Sequence, residues 1–448
     1  MRVLLLTHNV AGIFDDPDEA LRPWADGLAA LVQRTRADFI ALHMQEVGGS
    51  RWRTCGLDGA AAVAGAVEAA LPDHWSSGMI VRTDTAEDGF TALGSIYLVR
   101  RSAMQLVRLW RWKEAEGAAG AFESLRAADG PLVPQPGLPP RHCRHERFPR
   151  HLYGSTWSRK GYLLTRWQLG GGGGAVLDLV NVHNFHDESN LAALAAGAST
   201  YASSRQQALS LVTAALLGLR GGGAAGGGAA PAPASAAFLF GDFNFRLDLA
   251  HAVSLLCGAE GLQRARALAA ADATPLRLET SGGGGSGEGG DGYLSSSPPQ
   301  ARAAPPPPLI AKDKSENDRL LGAKQFELSQ PSLLAHKLTE LRGSDRELAA
   351  FSASAECALP LEELPLAFPP SYAYREGKGD GTPPDEAGWC DLLASKRCPA
   401  WCDRVLMDRT GGALVAASAV TAEYGHEPQP RVLTDHNQVY LAFSVESR

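Results

Sequence analysis

Eight apolar runs of seven to ten residues punctuate this 448-residue chain, at 3–9, 39–46, 92–100, 161–169, 175–184, 237–244, 401–408 and 437–445. Several are apolar almost without a break. A strand with one wet face alternates, whereas a strand covered on both faces reads as such a continuous run. Stretches of helical period lie between some of them. Leu209, Val212 and Leu216 stripe one, with Ser199 or Thr200 as its candidate cap, and Leu262, Ala265 and Leu268 stripe another. The pattern predicts an α/β fold of buried strands and covering helices. No run reaches the ~20 apolar residues of a membrane helix, and the opening VLLL is too short for the apolar stretch of a signal peptide.

Polar residues gather where these runs end. Asn9, Glu46, His183, the pair Asp242 and Asn244, and His436 each stand at or beside a strand terminus. Singly, each has a plain reading as a turn former or a solvated end. Together they describe a rigid sheet delivering carboxylate, amide and imidazole groups to one rim.

Composition narrows the chemistry. The net charge of −7 argues against a general nucleic-acid binder, which carries a basic surplus, yet leaves room for a local basic pocket for a small polyanion. The seven cysteines are scattered and odd in number, with Cys398 and Cys402 lacking a second pair at zinc spacing, so we read reduced thiols and a cytoplasmic protein. Segments 115–140, 220–235 and 281–308 are rich in Gly, Ala and Pro and read as disordered inserts in a single domain spanning 1–448.

Three motifs carry the chemistry. In FLFGDFNFRLD (238–248), Gly241 allows a tight turn, and Asp242 and Asn244, two apart on extended backbone, face one side. A carboxylate there can hold or deprotonate water, and the amide can orient it or donate to a developing oxyanion; an Asx-turn is the plain alternative. Glu46 offers the hard oxygen that suits Mg²⁺, while no His or Cys cluster suits zinc. In CPAWCDRVLMD (398–408), Asp403 is a partner for His436, holding its ring in one tautomer and favouring its charged form, with Arg404 beside it; a structural Asp–Arg pair is the alternative. In WSRKGYLLTRW (157–167), Arg159, Lys160 and Arg166, with Arg397 further on, read as phosphate cations or as a solvated basic face.

GDFNFRLD taken with CPAWCDRVL closely resembles the inositol polyphosphate 5-phosphatases, deoxyribonuclease-I-like phosphohydrolases that depend on Mg²⁺. FDDPD, FTALGS, WSRKGYLLTRW, LVNVHNFHDESNL and FPPSYAY point to the type I branch, and the likeness runs from residue 1 to about 445 outside the inserts. The resemblance implies a four-layer αββα sandwich with its site at one rim. It implies that Asn9 and Glu46 hold Mg²⁺ with Asp435 close by, that Asp242 beside Asn244 manages the attacking water, that His183 binds the scissile phosphate, and that Asp403 and His436 form a supporting dyad. It places Lys160, Arg397 and Tyr372 on ring phosphates other than the one removed, and Arg159 and Arg404 complete the expected substrate-binding set. The implied reaction removes the 5-phosphate of soluble inositol polyphosphates, the 1,4,5-trisphosphate and 1,3,4,5-tetrakisphosphate, ending a calcium-mobilising signal. Action on phosphoinositide lipids, a nuclease activity and a non-catalytic inositol phosphate scaffold are the rivals. Asn184, Ala373 and Gln438 depart from the family's usual Leu, Lys and Pro, and the ending SVESR carries no C-a-a-X box. Small-molecule inositol phosphates are therefore the expected partners, with peripheral membrane contact a further option and nucleic acid excluded.

Overall fold

The computed structural model of the chain describes residues 1–81, 91–112, 120–126, 132, 141–152, 158–197, 199–221, 235–270, 276–279, 318–322, 324–328, 331–379, 388–428 and 431–446. Eight strands form its centre: β1 (Arg2–Asn9), β2 (Phe39–Gln45), β3 (Gly94–Arg100), β4 (Gly161–Leu169), β5 (Ala175–His183), β6 (Ser235–Asp242), β7 (Asp403–Asp408) and β8 (Gln438–Ser444). They correspond one for one to the eight apolar runs.

The strands make two sheets of the same plan. In the first, β1 lies parallel to β2, with β8 antiparallel outside β1 and β3 antiparallel outside β2. In the second, β5 lies parallel to β6, with β4 antiparallel outside β5 and β7 antiparallel outside β6. A parallel neighbour requires a crossover, and helices supply it. Helix α1 (Pro17–Thr35) joins β1 to β2, and helix α3 (Ala202–Gly221) lies between β5 and β6.

Alternation along each strand sorts the core into layers. On β1, Val3 and Leu5 point between the sheets, where they meet Phe39, Tyr97, Trp167, Leu179, Phe238, Phe240 and Phe443. Leu4 and Leu6 point the other way, onto Trp24, Leu28 and Leu31 of α1 and Val63 and Val67 of α2 (Trp52–Ala70). The second sheet repeats this: Leu164, Val180 and Leu239 face Leu209, Val212 and Leu216 of α3. The result is the expected αββα sandwich, and it explains why the strands read as unbroken apolar runs.

A buried polar group needs a partner, and a network meets that need between the sheets. Gln45 Nε2 donates to Asn181 Oδ1 at 2.8 Å and to Thr7 Oγ1 at 3.1 Å, and Asn181 Nδ2 donates to the Met44 and Gly94 carbonyls. His43 stacks on Phe240 with centroids 3.6 Å apart. These contacts sit just beneath the strand ends that carry Asn9, Glu46, His183 and Asp242.

Some expectations change. The segment 115–140 is not wholly an insert: Ala121–Ser124 is a strand paired with Val107–Arg111 at the edge of the second sheet. Most of that segment, nearly all of 220–235 and all of 281–308 lie outside the described residues. Ser199 does not cap α3 with its side chain; its hydroxyl donates to Asp187 Oδ1 at 2.6 Å. The second striped stretch lies in α4 (Leu249–Ala270), which is broken at Gly258 (φ 75°, ψ 174°); Ala265 is buried there and Leu262 partly so.

Candidate active site

The parallel pairs β1–β2 and β5–β6 end at one rim, and a ligand site in an α/β sheet lies outside such carboxyl ends. Register brings the groups together. Asn9 stands opposite Gln45 in the ladder, His183 opposite Asp242, and Asp242 opposite Asp403. His436 reaches in from the residues before β8.

Asp242 is the hub. Its Oδ1 accepts from the Asn244 amide at 2.9 Å; its Oδ2 accepts from Asn244 Nδ2 at 3.0 Å and from Asn9 Nδ2 at 3.3 Å. His183 Nε2 lies 3.3 Å and His436 Nε2 4.0 Å from the same oxygen. Burial alone raises a carboxyl pKa, but His436, His183 and Lys160 outweigh it and hold Asp242 well below the usual carboxylate range.

The local geometry corrects two expectations. The strand ends at Asp242, and Asn244 is not extended but left-handed (φ 54°). The two side chains meet because the chain turns back through an Asx bond, not because alternation points them alike. Gly241 makes no turn. It lies inside β6, and a Cβ there would collide with the Val182 carbonyl of β5. The glycine is required by close strand approach.

Asp403 and His436 form a buried pair, Oδ2 to Nδ1 at 2.8 Å. Burial works against a charged imidazole, yet Asp403 and Asp242 push the His436 pKa up to about 10, so the ring is an imidazolium at neutral pH. Burial and the Asp242 charge push the Asp403 carboxyl up, while His436 opposes them.

His183 Nε2 lies against Lys160 Nζ and 3.7 Å from Glu46 Oε1. Lys160 is buried, which brings its pKa down to about 8 against the pull of Glu46 and Asp242. Glu46 follows the end of β2 in a left-handed conformation (φ 58°) that turns it into the rim. Its carboxylate keeps 31% exposure, and Lys160, His183 and Arg159 hold its pKa at about 2 against the effect of burial. Arg159 stands over the Trp52 ring at 5.5 Å. Tyr372 packs on His436 with ring centroids 4.6 Å apart, and Arg397 hydrogen-bonds Tyr372 and donates to the Asp187 and Glu188 carbonyls.

Arg404 does not join them. Asp403 faces the rim, so its neighbour on β7 faces the other way. Arg404 is fully buried there, bound to Asp345 and Glu363 at 2.5 Å each and to the Trp401 carbonyl. It is a structural cation, not a substrate contact.

Arg246 belongs to the site, although the sequence reading did not single it out. Its Nη2 donates to Asn244 Oδ1 at 2.5 Å, and its guanidinium lies 4.8 Å over the Tyr372 ring; burial lowers the Arg397 pKa and the Arg246 charge adds to that. Its Nε and Nη1 are buried without a hydrogen-bond partner among the described residues. The signal was there: it follows Asn244 by two residues within GDFNFR.

The acids at the rim suit a cation. Asp435 Oδ1 lies 3.9 Å from His436 Nε2, and burial together with repulsion from Glu46 and Asp242 pushes its pKa up. Carboxylates crowded enough to repel one another are relieved by a hard cation held by oxygen. Asp242, Asp403 and His436 also converge within 4.8 Å. In that set His436 Nδ1 is engaged by Asp403. Glu46 and Asp435, whose charges repel each other, are the other acids at this rim.

No protein-family model matches the chain. It is 28% identical over 458 residues to inositol polyphosphate-5-phosphatase A of Rattus norvegicus, covering 99% of this chain and 93% of that one. The Homo sapiens protein of the same name is 28% identical over 456 residues with the same coverage. A Caenorhabditis elegans protein named as a probable type I inositol 1,4,5-trisphosphate 5-phosphatase is 27% identical over 452 residues, 99% of this chain and all of its own. Among solved structures, the inositol polyphosphate 5-phosphatase domain of SpSynaptojanin, in complex with inositol (1,4)-bisphosphate and a calcium ion, matches with a TM-score of 0.51 at 13% identity, over 99% of this chain and 85% of that one. That likeness concerns the fold, which is the deoxyribonuclease-I-like one. Along its whole length the chain is similar to the type I inositol polyphosphate 5-phosphatases.

Proposed function

We propose that this protein is a phosphomonoesterase that removes the 5-phosphate of soluble inositol polyphosphates, the 1,4,5-trisphosphate and the 1,3,4,5-tetrakisphosphate, with Mg²⁺ as its cation. The observation that carries this reading is the Asp242 hub. A carboxylate held ionised by His183, Lys160 and the His436–Asp403 pair sits at the end of a buried strand, within a full-length likeness to 5-phosphatases.

Each residue has a task in that reaction. Asp242, ionised throughout the neutral range, accepts a hydrogen bond from the attacking water and takes its proton; Asn244 and Asn9 hold the carboxylate still. His183 and Lys160 donate to oxygens of the scissile phosphate as charge shifts in the loose transition state; the bond from phosphorus to the ring oxygen breaks, and that oxygen leaves as the inositol hydroxyl after taking a proton from solvent. The His436 imidazolium, kept charged by Asp403, faces the same phosphate and stabilises added negative charge. Arg159, Tyr372, Arg246 and Arg397 hold ring phosphates that do not react, so that their binding energy orients the one that does. Glu46 and Asn9, with Asp435 beside them, would hold Mg²⁺, which when bound acts as a Lewis acid on the phosphoryl oxygens.

The deciding experiment measures phosphate release from soluble and lipid inositides with and without Mg²⁺. Release from the soluble trisphosphate, dependent on the ion, supports the reading. Release only from lipids moves the substrate to the membrane, and no release from any of them removes the activity.

A further inference from the structure

One buried histidine takes no part in the chemistry above. His8 precedes Asn9 on β1, so the two side chains point to opposite faces. Asn9 enters the rim, and His8 enters the helical layer outside the sheet, where it is fully buried beside Trp24 of α1. Burying an imidazole in an apolar layer is costly unless its nitrogens are hydrogen-bonded, and both are. Trp24 Nε1 and His8 Nδ1 are 2.9 Å apart. An indole N–H only donates, so Nδ1 must be the bare nitrogen and the ring proton must sit on Nε2. His8 Nε2 lies 3.1 Å from the backbone carbonyl of His436 and donates to it.

The position of that bond gives it a purpose. The ladder between β1 and β8 runs from Arg2↔Ser444 to Thr7↔Val439 and ends there, three residues short of His436. Beyond it, the chain that carries His436 is held to β1 by side chains: His8 on the His436 carbonyl, and the Thr434 hydroxyl on the Asn9 carbonyl at 3.1 Å. The His436 ring is then gripped by Asp403 and Tyr372.

We propose that His8, fixed by Trp24 as the Nε2–H tautomer, is a positioning residue that anchors the His436 backbone and so aims the imidazole that pairs with Asp403 and faces Asp242. Its contribution to turnover rests on the proposed phosphatase reading, in which His436 acts on the phosphate. The tautomer and the anchoring bond do not.

The test therefore has two arms. Long-range ¹H–¹⁵N NMR on histidine-labelled protein reads the His8 tautomer and needs no activity. A neutral ring protonated on Nε2 is expected; a ring protonated on Nδ1, or a charged ring, overturns the proposal. The second arm compares His8→Gln and His8→Leu on inositol 1,4,5-trisphosphate. Glutamine places an N–H donor near Nε2, whereas leucine only fills the space. His8→Leu is expected to lower kcat about tenfold or more with KM little changed, the size of effect a sub-ångström loosening of a reacting group produces. His8→Gln is expected to recover most of the loss. Wild-type kcat in His8→Leu overturns the proposal, and so does an equal loss in both variants, which would make the role packing alone. Absence of turnover in the wild-type protein would instead remove the phosphatase reading and leave the first arm to decide the tautomer.

Discussion

Replacing Asp242 by asparagine separates the hub's charge from its shape. Both oxygens of the wild-type carboxylate accept hydrogen bonds: Oδ1 from the Asn244 amide, Oδ2 from Asn244 Nδ2 and Asn9 Nδ2. An amide has one accepting end, so whichever way it is turned its NH₂ meets a donor already in place, at a cost of about 1–3 kcal/mol. The substitution also removes a negative charge that repels Glu46, Asp403 and Asp435 but attracts His436, His183 and Lys160. Asp242→Asn should therefore still fold, at a cost of about 1–3 kcal/mol of stability. Turnover should not survive as well. Loss of a general base costs roughly 10²–10⁴-fold, or about 2.7–5.4 kcal/mol of barrier at 1.36 kcal/mol per tenfold. The assay is kcat on inositol 1,4,5-trisphosphate, with the dissociation constant by calorimetry and the melting temperature of the same preparation. We expect kcat to fall by about 100-fold or more, with binding little changed because the ring-phosphate contacts lie on other side chains. Turnover within a few-fold of wild type would refute the reasoning and leave Asp242 as the acceptor of an Asx-turn.

Four further outcomes are expected. Lys160→Ala should cost about as much on an aryl phosphate as on the trisphosphate, because its ammonium serves the scissile phosphate that both carry; a loss confined to the trisphosphate would move Lys160 to the ring phosphates. Glu46→Gln should raise the Mg²⁺ concentration for half-maximal activity at least about tenfold, since it removes the charge that attracts a hard cation; an unchanged ion requirement would take Glu46 out of the metal site. Arg404→Ala should destabilise the fold by about 3 kcal/mol or more in denaturant titration, because it strands the partly buried acids Asp345 and Glu363, with kcat of the folded fraction unchanged; a selective rise in KM would return Arg404 to the substrate. Burial pushes the Asp187 carboxyl up, but Arg205 and Ser199 more than reverse this and hold it below its ordinary value. The stability it contributes is therefore complete above its unfolded pKa of about 3.9 and lost as the pH falls through the lower folded value. Asp187→Asn should flatten acid unfolding in that window, and an unaltered acid limb would contradict the assignment.

The sequence carried the fold further than it carried the direction of individual side chains. The eight strands were legible because both faces of each are covered, which leaves apolar runs with no wet side. The rim residues were legible because each stands where such a run ends. Arg404 was misplaced by proximity to Asp403, although strand alternation already sends neighbours to opposite faces. The contact of Asp242 with Asn244 depends on a left-handed residue at Asn244, and the inward turn of Glu46 on another. Neither is glycine, so nothing in the composition announced them. The network of Gln45, Asn181 and Thr7 joins residues 38 and 136 positions apart and exists only once two sheets face each other. His8 was hidden for the same reason, since its partners lie 16 and 428 residues away.

The central claim is that this rim removes one particular phosphate with the help of a divalent cation. Phosphorus NMR of inositol 1,4,5-trisphosphate incubated with the protein and Mg²⁺ reads both parts at once. The account predicts loss of the 5-phosphate resonance alone, growth of inorganic phosphate, persistence of the 1- and 4-phosphates, and arrest of the reaction by EDTA. Loss of the 1- or 4-phosphate, or undiminished release in EDTA, would contradict it.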